Sequence, residues 1–148
     1  TQTNERKAAD PSKWNIQNNL LDGGNPALAW DGNKESSWLT NEVDLPNYFS
    51  IDMGSLQTLT GFGYLPRQDG EGAGLISHYV FETSVDGNRW EAVARGEFSN
   101  IVANPILQFV DFGKPVQARY FRFTVEAVAN TSSNRSAVSI AEFEVYAK

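Results

Sequence analysis

The residues best placed to do chemistry lie in one stretch, Leu28-Ala-Trp-Asp-Gly-Asn-Lys-Glu-Ser-Ser-Trp38. Asp31-Gly32 is a strong turn signal, because glycine takes the positive φ that tight turns demand. Asp31 and Ser36 stand five positions apart around that turn. A loop folded there can aim a carboxylate, a hydroxyl and several backbone carbonyls at one point. That is an all-oxygen, irregular ligand set of the kind a hard cation takes. The other reading of the same residues is a surface turn whose aspartate caps its own backbone.

The remaining composition removes most alternatives. With one histidine and no cysteine among 148 residues, a thiol site, a Cys-zinc site or a multi-histidine site is impossible. A serine triad would have to use His78, and no Gly-x-Ser-x-Gly elbow exists. A glycosidase pair needs two carboxylates roughly 5–10 Å apart; nothing singles out such a pair among the 18 acidic residues. The formal net charge of −6 argues against nucleic acid and against an anionic membrane as partners. No apolar run approaches the ~18 residues of a membrane span. His78 reads as a satisfied or solvent-facing side chain.

The elements that must position these groups read as β structure. Nine Phe, five Tyr and four Trp recur in short runs between Gly, Pro, Asn and Asp. Asp10-Pro11 predicts one helical turn ahead of Trp14. Asn15 to Asn25 reads as a loop around a short strand at best. Phe49, Ile51 and Met53 alternate with polar residues, and Gly54-Ser55 predicts a turn. Leu59 to Leu65 is apolar on both faces, with Gly61 and Gly63 thinning one of them, as in a central strand crowded by another layer. Strands follow at Tyr79–Val85, Trp90–Ala94, Ile106–Phe112, Arg119–Val125 and Ser139–Ala147, with turns at Asp86-Gly87-Asn88 and Gly113-Lys114-Pro115. Trp14, Trp30, Trp38 and Trp90 read as core. About eight short strands predict an all-β, antiparallel β-sandwich of the jelly-roll type, residues 1–148 forming one domain. The chain opens on Thr1 and is read as a mature chain or a domain excised from a longer one.

Six motifs in order carry a resemblance: Asp31-Gly-Asn with Ser36-Ser-Trp38, Phe49-Ser-Ile-Asp-Met-Gly54, Gly61-Phe-Gly-Tyr-Leu-Pro-Arg67, Ser84-Val-Asp-Gly-Asn-Arg-Trp90, Ala118-Arg-Tyr-Phe-Arg-Phe123 and Ser139-Ile-Ala-Glu142. From about Trp14 to Tyr146 the chain resembles the coagulation factor 5/8 type C, or discoidin, superfamily. More narrowly it resembles family 32 carbohydrate-binding modules of bacterial glycoside hydrolases of the hexosaminidase and fucosidase type.

The resemblance implies a discoidin-like (galactose-binding-domain-like) sandwich of five plus three strands. It also implies one structural Ca²⁺ where the chain ends meet. The ligands would be the carbonyls of Leu28, Asn33 and Ala141, the carboxylates of Asp31 and Glu142, and the hydroxyl and carbonyl of Ser36. Such a clip would close a loop of more than a hundred residues.

Galactose-type relatives carry a His after the tryptophan matching Trp38, an Arg, an Asn and an aromatic. Here those positions hold Leu39, Arg67, Ala73 and Ala137. A different sugar would then meet Arg67, Glu71, Asn41, Glu42, Asn134 and Arg135. The function implied is a non-catalytic, monomeric, secreted, periplasmic or cell-surface module. It would bind a glycan and target a linked glycoside hydrolase. The alternative is a spacer or protein-interaction domain without its own sugar site. Lipid binding of the clotting-factor kind uses apolar spikes among basic residues, and the acidic balance counts against it.

Overall fold

The structure, a computed structural model, describes residues 14–19, 25–31, 36–66, 75–98, 107–129 and 135–147. The strands are β1 Asn15–Asn19, β2 Trp38–Leu39, β3 Val43–Asp44, β4 Asn47–Leu65, β5 Ile76–Ser84, β6 Glu91–Glu97, β7 Gln108–Val128, β8 Arg135–Ser136, β9 Ser139–Ile140 and β10 Glu142–Ala147. One 3-10 helix, Pro26–Ala29, precedes β2. Among the described residues there is no α-helix. The helical turn expected at Asp10-Pro11 lies outside the described residues.

Two strands, β4 and β7, run through the whole molecule and pair antiparallel along their length. The first half of β4 and the last part of β7 join β1, β5 and β6 in one layer of order β1-β4-β7-β5-β6. The second half of β4 lies between β10 and the first part of β7, with Phe62 opposite both Val145 and Val110. This is the five-plus-three sandwich. All pairings are antiparallel.

The turns expected at Gly54 and Gly113 do not end strands. Each is a bend inside one. Gly54 has φ 89° and Gly113 φ 80°, conformations glycine takes without steric cost. In both, an aspartate two positions earlier holds the bend through its side chain. Asp52 Oδ1 accepts the Gly54 N–H at 2.8 Å, and Asp111 Oδ1 accepts the Gly113 N–H at 2.8 Å. The two bends compensate. Residues 53–56 of β4 bulge opposite Arg119 alone, and residues 112–115 of β7 bulge opposite Thr60 alone. Equal excess on each strand restores the register, so pairing resumes in the second layer with the apolar side chains still facing inward.

The core between the layers is aromatic. Phe62 stacks on Phe81 at 4.9 Å between centroids, and Phe143 meets Phe123 at 4.8 Å and Phe49 at 5.7 Å. Trp38 is fully buried, and Trp14 and Trp30 close the edge of this cluster around Phe49 and Phe121. Trp90 departs from its expected core position. It is only partly buried, just ahead of edge strand β6, with the Arg122 guanidinium over its ring.

The thinning at Gly61 and Gly63 also has a different cause from the one expected. The crowding comes from within the sheet. A Cβ at Gly61 would collide with the Val110 carbonyl, and one at Gly63 would lie 2.5 Å from the Tyr146 hydroxyl.

The outer face of the five-stranded layer is tied by two forked ion pairs. Arg119 Nε and Nη2 donate to the Asp52 carboxylate at 2.8 and 2.9 Å. Arg122 Nε and Nη2 donate to Glu82 at 2.9 and 3.1 Å. The Arg119 hydrogen bond holds Asp52 below its ordinary pKa of 3.8, and the Gly54 amide acts in the same direction.

Two predictions follow from this geometry. Gly61→Ala forces main chain apart and should lower unfolding free energy by about 1–3 kcal/mol in urea titration; an unchanged midpoint would refute the close approach. Asp52 is depressed on folding, so its stabilisation is complete above about pH 4 and is lost as pH falls through its lowered pKa. Asp52→Asn should therefore lower stability at neutral pH and reduce the slope of stability against pH below 4, read from denaturation midpoints across that range.

Candidate functional site

The two sites implied by the sequence lie at the same end of the sandwich. At this end β4 ends at Leu65, β5 begins at Ile76 and β10 begins at Glu142. The other end holds the β4 and β7 bends, the β5–β6 turn, Asn15 opposite Asp52 and Ala147 opposite Leu59. The implied cation residues are therefore not where the described chain ends meet. They lie at the far end of β10, because Glu142 pairs with Leu65.

The residues of the implied cation set begin at the 3-10 helix, whose first turn is closed by the Leu28 N–H bonding to the Asn25 carbonyl at 3.1 Å. This helix packs against both β2 and β10. Ser36 Oγ donates to Asp31 Oδ2 at 2.6 Å. Leu28 is partly buried, Asp31 exposed and Ala141 fully buried. The Ala141 N–H bonds to the Leu65 carbonyl at 2.9 Å, which fixes the start of β10 against β4. Glu142 is partly buried, with its Oε2 shut off from solvent. Asn33 lies outside the described residues. The described members offer oxygen only, which suits a hard cation. Among the described residues no group of three or more His, Cys, Asp or Glu assembles.

Of the sugar-contact residues, Arg67, Glu71 and Asn134 lie outside the described residues, as does Ala73. The other three come together. β3 pairs with β8, setting Val43 opposite Ser136 and Asp44 opposite Arg135. Arg135 Nη1 donates to Asp44 Oδ1 at 3.0 Å. Exposed Asn41 and Glu42 precede β3 on the same surface. Beneath them the Thr40 N–H bonds to the Val138 carbonyl, and the Val138 N–H to Thr40 Oγ1, each at 2.9 Å. The buried Tyr64 hydroxyl donates to the Ser139 carbonyl at 2.8 Å and accepts the Ile76 N–H at 3.1 Å. Burial pushes its pKa above the ordinary 10.0, so it stays a neutral strut. The exposed loops thus stand on a hydrogen-bonded floor. Leu39, where relatives are expected to carry His, is 42% exposed on this surface. His78 is exposed, within 3.0 Å of Ser77 Oγ and 3.7 Å of Glu97, and has no part in either site.

A feature missed in the sequence lies at the opposite end. A cleft of about 480 Å³ opens there, with Trp90, Arg89, Glu91, Gln117, Thr83 and Ser84 among its lining. The Trp90 indole is held from behind. The Arg122 guanidinium lies 4.5 Å over its ring and 4.9 Å over the ring of Tyr48, while Glu82 grips the same guanidinium by its fork. The alternation Phe121-Arg122-Phe123 was the available signal, since it turns Arg122 outward wherever the phenylalanines turn in.

Comparison with known proteins gives the family. The F5/8 type C domain model matches residues 9–143. Galactose oxidase of Gibberella zeae is 31% identical over 146 residues, 94% of this chain and 20% of that protein; the chain thus spans only about a fifth of that relative. A family 32 module from a family 31 glycoside hydrolase of Clostridium perfringens superposes with TM-score 0.81 at 28% identity, covering 95% of each chain. Another family 32 module of C. perfringens, solved in complex with galactose, superposes with TM-score 0.78 at 24% identity, covering 96% of this chain and 99% of that one. With six ordered motifs, a five-plus-three antiparallel sandwich and a family match across nearly its whole length, this chain belongs to the F5/8 type C domain family.

Proposed function

We propose that the chain is a non-catalytic carbohydrate-binding module that brings a linked glycoside hydrolase to its glycan outside the cytoplasm. The observation that carries this reading is the shared sandwich of family 32 modules over 95% of the chain, one such module having galactose bound. The ligand would sit on the surface formed by the β2–β3 and β8 segments, where Asn41, Glu42 and Arg135 are neighbours. Exposed amide, carboxylate and guanidinium groups suit a rim of sugar hydroxyls. Leu39 and Ala137 in place of His and an aromatic argue for a sugar other than galactose. Single-site affinity in the millimolar to tens-of-micromolar range, about −4 to −6 kcal/mol, is sufficient, because tethering raises the local substrate concentration for the joined enzyme.

A glycan array with the wild type and the Arg67→Ala variant tests the reading. Retention of neutral glycans that Arg67→Ala weakens, with little response to salt, is the expected result. A blank array with folded protein would refute sugar binding and favour the spacer or protein-contact role.

We also propose a structural Ca²⁺ held by the Asp31 and Glu142 carboxylates, Ser36, and the carbonyls of Leu28, Asn33 and Ala141. When bound, the ion would supply a cross-link between the loop after the 3-10 helix and the start of β10. The Asp31–Ser36 contact, the buried Glu142 oxygen and the all-oxygen donor set support it. With calcium about a hundredfold above its Kd, chelation should lower Tm by about 5–10 °C. Asp31→Ala should abolish that response. An unchanged Tm after EDTA, in protein shown metal-free by elemental analysis, would refute the ion.

A further inference from the structure

We infer that the cleft beside Trp90, at the end of the sandwich opposite the proposed glycan surface, is a second ligand site that takes a pyranose ring stacked on the indole. Four observations converge on it. The cleft holds about 480 Å³, which is within the range of small-molecule sites. Its apolar wall is Trp90 with Val85 and Val116, and Val85 is 60% exposed. Its polar rim carries Arg89, Glu91 and Gln117, whose side chains make no hydrogen bond or ion pair among the described residues. An aromatic face ringed by planar polar groups matches a sugar, which has one apolar face and a margin of hydroxyls. The lining sets Arg89 against Asp86 and Glu91, a small acidic excess that disfavours an anionic ligand and leaves a neutral sugar unopposed.

The fourth observation is the support behind the platform. A partly exposed tryptophan just ahead of a strand would ordinarily sample several rotamers. Here Arg122 covers one face of the ring, and Glu82 and Tyr48 hold Arg122 in turn. Asp86 stiffens the adjoining turn. Its Oδ1 accepts the N–H groups of Asn88 at 2.8 Å and Arg89 at 3.0 Å, and the Ser84 hydroxyl at 3.1 Å. A platform fixed before the ligand arrives loses little entropy on binding. The ligand class rests on the carbohydrate reading above; the location does not.

The test is an NMR titration of the intact chain with three probes: galactose, N-acetylgalactosamine and chitobiose. At least one should shift the Trp90 indole signal and the backbone signals of 84–91 and 116–117 in a saturable way. Trp90→Ala should weaken that binding about tenfold or more. Gln117→Ala, which leaves the Arg122 stack intact, should weaken it by a smaller factor without moving the denaturation midpoint. If Trp90→Ala does not fold, Trp90→Phe with Gln117→Ala serves in its place.

Shifts confined to 39–42 and 135–137 would overturn the second site and leave the proposed function standing. Shifts at 84–91 alone would uphold the second site and count against the first surface. Shifts there that both variants leave unchanged would overturn the assignment of Trp90 as platform. Absence of a saturable shift with all three probes would overturn the inference, and the glycan array then decides the first surface independently.

Discussion

The continuous pairing of β4 with β7 is the constraint on which the rest depends. Each strand belongs to both layers, so the two sheets are one ladder folded twice rather than two sheets pressed together. The layers are therefore covalently continuous at the bends, where the ladder breaks and then resumes. The aromatic cluster of Phe62, Phe81, Phe123 and Phe143 then forms where the folded ladder faces itself. Side-chain chemistry follows from this placement. The Arg119–Asp52 fork bridges β7 to β4, and the Arg122–Glu82 fork bridges β7 to β5, so the strand common to both layers is also pinned on its outer face.

Much of this was legible in the residues, and the failures have a common cause. Strand positions from Phe49 to Met53 and from Phe121 to Val125 follow from strict alternation. The bends at Gly54 and Gly113 do not. Asp-x-Gly closes a side-chain turn equally well between two strands and inside one, and only the matching bulge on the partner decides which. Polar β1 is likewise strand only because β4 offers it an edge. Trp90 precedes a strand whose residues are all at least partly exposed, so its apolar neighbours gave no true inside face to read.

The candidate sites divide in the same way. Local sequence sets Asp31 and Ser36 five positions apart. It cannot set the 3-10 helix against β10, and Glu142 was reached only through resemblance to a family. Nor can it bring Asn41 and Glu42 next to Arg135. That neighbourhood is made by two strands of two residues each, β3 and β8, too short to announce themselves.

The reciprocal bulges bear on how such a chain can change length. Removing a single residue from 53–56 would slip the second half of β4 by one position against β7. It would also turn Phe62 from the core to solvent and Gly61 and Gly63 toward the interior. A matching deletion in 112–115 would restore the ladder only if both occurred together. Insertions and deletions in this architecture are therefore coupled across about sixty residues of sequence at one end of the molecule. At the opposite end the described pairings are short, β2 with β9 and β3 with β8, so a change of length there disturbs two residue pairs rather than a whole strand.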